Sequence, residues 1–113
     1  MKLDIVLRDI SKKTGKGNIK IKIKKKGYDP TFIPTPYYIE PAFFDIENGI
    51  IKKEFLEGAK WNSELFAQKS RYENYYKELG DAVTNTSVQT LKQLFVTYDN
   101  INLKSKEPLK SVS

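Results

Sequence analysis

Residues 19–24 read Ile-Lys-Ile-Lys-Ile-Lys, and this repeat of two decides which chemistry is open to the chain. Successive side chains of an extended strand point to opposite faces. Lys20, Lys22 and Lys24 therefore form a row of ammonium groups about 7 Å apart, with Ile19, Ile21 and Ile23 as an apolar row behind them. Such a ladder can neutralise successive phosphates, and a β-ribbon fits the DNA major groove with its flanking cations on the backbone. An alternating strand is equally the ordinary solvated face of an amphipathic sheet, kept soluble by lysine. Two neighbouring groups strengthen the first reading: Lys12, Lys13 and Lys16 in the glycine-containing stretch 11–18, and Lys25-Lys26 directly after the strand. Lysine is a flexible point charge with little base specificity. Arg8, Asn18, Tyr28, Thr35 and Tyr37 are therefore the candidates for base contacts, set against ordinary roles in closing a turn or packing a sheet edge.

Other chemistries are thinly supplied. The chain has no cysteine and no histidine, which excludes disulfides, thiolate zinc sites, cysteine nucleophiles and the imidazole base. Gly15 and Gly17 lack the further glycines and the lysine of a phosphate-binding loop. Asp45 and Glu47 fall in a turn, where carboxylates cap backbone amides, and Glu73 and Glu78 fall on the solvent side of a helix. An enzyme is the least expected class, and no metal or cofactor is expected.

The net charge of +6 is unevenly distributed. Residues 1–26 hold ten Lys or Arg against two Asp, or +8, while the remainder holds ten basic against twelve acidic groups, or −2. Lysine outnumbers arginine 18 to 2, which an AT-rich genome would supply unprompted, but codon usage does not explain why the excess sits in one quarter of the chain. A localised basic field attracts polyanions, and nucleic acid is the usual one.

The elements that must position these groups follow from pattern. With 39% hydrophobic and 30% charged residues in 113, the composition is that of one folded domain. Leu3, Ile5 and Leu7 alternate as a first strand over 3–8. Residues 11–18 form an exposed, mobile basic turn, and 18–26 the second strand. Gly27 to Pro30 is a hairpin loop before a third strand over 31–39. Pro34 and Pro36 both withhold donors from the same side of that strand, which makes it a sheet edge and puts the lysine strand in the middle of an antiparallel meander. Pro41 to Phe44 is a short turn, Asp45 and Asn48-Gly49 mark reversals, and Ile50-Ile51 is a short extended piece. Trp61, Leu65, Tyr72, Tyr76 and Leu79 form one stripe of a helix over 61–79. Phe66 and Tyr75 widen it, Glu64, Gln68, Arg71, Glu73 and Glu78 face outward, and Gly80 stops the helix. Thr86 and Gln89 fit a capping box for a shorter helix over 86–95, with Val88, Leu91, Leu94 and Phe95 on its apolar face. The fold class is α+β: a three-stranded antiparallel sheet packed on a long helix, plus a short second helix. The domain is expected over 1–96, with 97–113 a linker toward an absent downstream domain. No apolar run approaches the ~20 residues that span a bilayer, so no membrane partner and a cytoplasmic location are expected.

A first strand ending in Leu7-Arg8, a basic glycine-containing turn, the Ile19-Lys-Ile-Lys-Ile strand, a third strand, Phe43-Phe44-Asp45, then Asn48-Gly49-Ile50-Ile51-Lys52, a helix and a Thr-capped short helix together resemble the N-terminal arm-type DNA-binding domain of tyrosine recombinases, the integrases of phages and mobile elements. The likeness covers about residues 2–96. It implies that the sheet enters the major groove with a helix behind it, that Arg8, Lys20, Lys22 and Lys24 face DNA, and that recombination chemistry belongs to core-binding and catalytic domains downstream in the same parent chain. The expected function is thus a DNA-binding module at accessory, arm-type sites. Its expected site is Arg8, Lys12, Lys13, Lys16, Asn18, Lys20, Lys22, Lys24, Lys26, Tyr28, Thr35 and Tyr37, and its partner is duplex DNA. The alternatives are a protein-interaction module using the proline-bearing edge or the Tyr-rich helix, and an RNA-binding domain.

Overall fold

The structure is a computed structural model and describes the backbone of residues 1–112 and the side chains of residues 1–101. An antiparallel sheet runs β1 (Lys2–Arg8), β2 (Gly17–Lys24), β3 (Thr31–Ile39) in that spatial order, so the lysine strand is central and the proline strand an edge. Leu3 faces Ile23, Ile5 faces Ile21, Leu7 faces Ile19, and Ile33 of β3 faces Ile21, which collects the apolar residues of three strands on one side. Ile19, Ile21 and Ile23 are completely buried there. Their β-branched side chains suit the pleated surface and their partners share the face, so local preference and burial agree.

The β2–β3 ladder is interrupted. Lys20 pairs with Pro34 but Asn18 with Tyr38, so Ile19 alone lies opposite residues 35–37 and β3 bulges outward. A proline in the bulge costs no ladder bond.

A single 3-10 turn at Pro41–Phe43 leads into a two-residue-per-strand hairpin, β4 (Phe44–Asp45) with β5 (Ile50–Ile51). The Asp45 carboxylate accepts the Asn48 backbone N–H at 3.2 Å and its side-chain amide at 2.8 Å. Gly49 closes the turn at φ 64°, and a Cβ there would meet the Ile5 carbonyl oxygen at 2.9 Å. The position takes glycine on both counts.

Helix α1 (Gly58–Leu79) starts three residues ahead of the expected Trp61 and ends, as expected, at Gly80, which has φ 56°. A 3-10 turn (Gly80–Val83) connects it to α2 (Val88–Val112). The second helix corrects two expectations. Its cap is Ser87, whose Oγ accepts the Thr90 N–H at 3.3 Å, while Gln89, expected in a capping box with Thr86, instead accepts from the Thr31 hydroxyl. It is also long: the expected boundary at 96/97 falls inside it. Tyr98 extends the Val88, Leu91, Phe95 spacing by three and stacks on Tyr75 at 4.3 Å, and Asp99 bonds Arg71 and Tyr72 of α1. The side chains of the expected linker beyond residue 101 lie outside those described.

The core has two parts under one sheet face. Leu3, Ile21, Ile23 and Ile33 meet Tyr72, Val83, Val88, Leu91 and Phe95 beneath one end, with Tyr72 stacked on Phe95 at 4.9 Å. Ile5, Ile19 and Ile39 meet Phe44, Ile51 and Leu65 beneath the other. Two expectations for α1 also change. Phe66 does not widen the buried stripe but stays 44% exposed. Gln68 is partly buried where α2 crosses and donates to the Tyr72 hydroxyl, which donates to Asp99, while Arg71 faces outward as expected but pairs with Asp99 at 3.1 Å. Among the described residues no helix is long and apolar enough to cross a membrane.

Candidate nucleic-acid interface

Burying the isoleucines beneath both helices leaves the opposite sheet face to the remaining residues of each strand. On β1 these are Lys2, Asp4, Val6 and Arg8; on β2, Lys20, Lys22 and Lys24; on β3, Phe32 and Pro34. The assignment follows from the pairings Lys2 with Lys24, Asp4 with Lys22 and Val6 with Lys20, and of Lys22 with Phe32 and Lys20 with Pro34. Every one of them is partly or fully exposed. The ammonium row thus lies on the side opposite the buried isoleucines, with Lys24 exposed, Lys20 partly exposed, and Lys22 partly exposed beside a cleft that it shares with Phe66 and Lys69 of α1.

Its charge is partly countered. The Lys20 ammonium lies 2.5 Å from the Asp9 carboxylate, and its side chain retains only 21% exposure. Asp9 reaches it because the residue takes a left-handed backbone, φ 55°, which Asp adopts more readily than most residues. The bond from Lys20 holds the Asp9 carboxyl below the usual carboxylate range. Lys2 and Asp4 form a looser exposed pair at 4.0 Å. Lys22 and Lys24 pair with no carboxylate among the described residues and stand as the free cations of the row. The Arg8 guanidinium lies over the Phe32 ring, 4.3 Å from its centroid.

The basic turn between β1 and β2 carries Lys12, Lys13 and Lys16, all exposed. It is a closed loop: Ser11 N–H donates to the Lys16 carbonyl at 2.9 Å, Gly15 N–H donates to the Ser11 carbonyl at 2.8 Å, and the Ser11 hydroxyl accepts from Lys13. Lys26 is exposed beyond the end of β2. Lys25 belongs elsewhere: its ammonium bonds the carbonyls of Val83 at 2.9 Å and Thr86 at 2.6 Å, tying the β2–β3 loop to the α1–α2 connection.

Four expected base-contacting residues are not on this face. Asn18 and Thr35 are 4% and 7% exposed, and the bulge consumes their polar atoms. The Asn18 amide donates to the carbonyls of Thr35 at 2.7 Å and Tyr37 at 3.0 Å, and the Thr35 hydroxyl donates to the Ile19 carbonyl at 2.5 Å. Tyr37 turns to α1, where it donates to Glu64 and packs on Trp61 at 4.9 Å; burial, then the bond to Glu64, pushes its hydroxyl up to about 12. Tyr28 leans on the α1–α2 connection and donates to the Asn85 carbonyl at 3.3 Å. Of the base candidates, Arg8 alone remains.

Several residues of the face lie outside the expected site, Phe32, Lys2 and Asp9 among them. Phe32 is legible in principle, because it alternates with buried Thr31 and Ile33 and so shares the side of the lysines. Lys2 follows in the same way from Leu3. Asp9 carries no such signal, because its approach to Lys20 depends on a backbone turn after the strand ends. Comparisons with protein-family models, with curated proteins and with solved structures found no match.

Proposed function

We propose that this chain is a duplex-DNA-binding module that lays the outer face of its three-stranded sheet in the major groove, at accessory sites of a tyrosine recombinase in the cytoplasm, with core-binding and catalytic domains of the same parent protein performing the chemistry. One observation carries the reading. Both helices pack on the isoleucine side, so the opposite face presents Lys22 and Lys24 without a carboxylate partner among the described residues, and it adjoins a closed loop presenting three more lysines. A face of this kind holds backbone phosphates from two directions while its centre approaches the groove floor. Lys22 and Lys24 supply phosphate contacts, Lys12, Lys13 and Lys16 extend them, and Arg8 stands over the Phe32 ring.

Titration of duplex DNA at several salt concentrations tests this. Affinity should fall log-linearly with salt, and replacing both Lys22 and Lys24 by alanine should flatten the slope by about 0.9 for each phosphate no longer neutralised. An unchanged slope in that double variant would remove the lysine face from consideration. Preference for an RNA duplex in competition would favour the RNA-binding alternative.

The interaction-module alternative draws on a different place. Beside β1, a cleft of about 300 Å³ is lined by Val6, Lys22, Ile46, Phe66 and Lys69 among others, and Ile46 and Phe66 are exposed. The Tyr-rich side of α1 is largely committed to the fold, since Tyr72 is buried and the half-buried Tyr75 stacks on Tyr98 and meets Phe95 edge-on. That reading predicts a concentration-dependent mass by light scattering and only weak, sequence-independent affinity for DNA.

A further inference from the structure

The chain has two arginines, and only one of them is free to read a base. Arg71 is held against α2 by Asp99. Arg8 pairs with Asn18 at one end of the β1–β2 ladder, whereas Phe32, the ring beneath its guanidinium, pairs with Lys22 on the far strand. The side chain therefore reaches diagonally across the middle strand to the Phe32 ring on the outer face. Phe32 supports the guanidinium from the ring side, and among the described residues the Arg8 side chain makes no hydrogen bond or salt bridge, so its N–H donors are uncommitted. The amides and hydroxyls that could have shared the task, Asn18 and Thr35, are consumed by the bulge.

We infer that Arg8, held against the Phe32 ring, is the residue that gives this surface sequence preference, and that it selects guanine in the major groove through paired hydrogen bonds to O6 and N7. The inference rests on the DNA-binding reading above. Guanine is the base whose major-groove edge offers two adjacent acceptors, and the guanidinium is the side chain whose donors form a fixed fork of matching width. The lysines around it bind phosphates of any sequence. A fork already immobilised on an aromatic ring loses less rotamer freedom on binding than a free side chain, so the Arg8–Phe32 stack converts into discrimination.

The test is selection from a pool of duplexes with a randomised centre, for the whole chain and for Arg8→Lys and Phe32→Leu. The unaltered protein should enrich a position for guanine, with roughly 5- to 150-fold preference over other bases at that position. R8K keeps the charge, so it should keep the salt slope and lose the guanine preference. F32L keeps the fork and an apolar support, so its preference should fall by about 2- to 5-fold at an unchanged slope. If R8K enriches the same guanine, or if the unaltered protein binds with a normal salt slope and enriches none, Arg8 is not the reader while the DNA-binding reading stands. If no salt-dependent duplex binding is seen at all, both fall.

Discussion

Asp9 places a carboxylate on the Lys20 ammonium, the group that the proposed interface would offer to a phosphate. Its oxygen takes the Lys20 ammonium at 2.5 Å while remaining largely solvated itself, so the ion pair can exchange for a phosphate without uncovering a buried charge. The pair weakens the face by removing one cation and adding one anion. Asp9→Asn should therefore tighten duplex binding and steepen the log–log salt dependence by about 0.9, as Lys20 takes up a phosphate. Fluorescence anisotropy across a salt series reads both quantities, and an unaltered slope would place Lys20 away from the duplex. Lys25 illustrates the opposite fate of a neighbouring residue in the same basic run. Its ammonium is committed to two backbone carbonyls at the helix connection, so it serves the fold. Nothing in the run of three lysines distinguishes Lys25 from Lys24 or Lys26; strand parity and the loop that follows decide it.

Among the elements, the bulged edge strand separates expectation from outcome most clearly. Pro34 and Pro36 correctly identify β3 as an edge, because neither can donate to a further strand. The ladder also skips over residues 35–37, and at the skip Asn18 and Thr35 become the ties that hold the bulge instead of base contacts. Asn18→Ala should consequently destabilise the fold by about 1–3 kcal/mol, the cost of leaving a buried carbonyl unpaired, with no change in which duplexes are selected. Chemical denaturation and pool selection together separate that outcome from a direct role at the bases, which would change selection and leave stability alone. The helices show the same division. Gly80 and the spacing of Leu65 and Tyr72 mark α1 well, whereas Phe66 falls outside its buried arc and Gln68 and Arg71 inside its contact with α2. Helical spacing gives the direction of a stripe but not its width, which depends on the elements packed against it.

At the scale of the molecule, the excess of positive charge in the first quarter of the chain becomes a surface feature because β1, β2 and their connecting loop share one side of the sheet. Lys12, Lys13 and Lys16 stand at the exposed end of this field, and among the described residues no acidic side chain pairs with them. Replacing all three by alanine should slow association with duplex DNA by up to about tenfold at low salt, with little effect at high salt and little on dissociation. Stopped-flow measurements would show it. An effect on dissociation alone would mean that the loop grips the duplex in the final complex and contributes little to its capture.

The alternation of isoleucine and lysine determined by itself that β2 has an apolar and a cationic face, because side-chain direction in a strand depends only on parity. Proline placement, the Asn48-Gly49 reversal and the stop at Gly80 were legible for the same reason: each is a property of a few adjacent residues. Tertiary structure alone decided that the bulge consumes the Asn18 amide, that Ser87 rather than Thr86 caps α2, that Asp9 covers Lys20 and that Arg8 lies on Phe32. These depend on register across strands and on the path of a loop, which are set by partners distant in the chain and leave no mark in the local pattern.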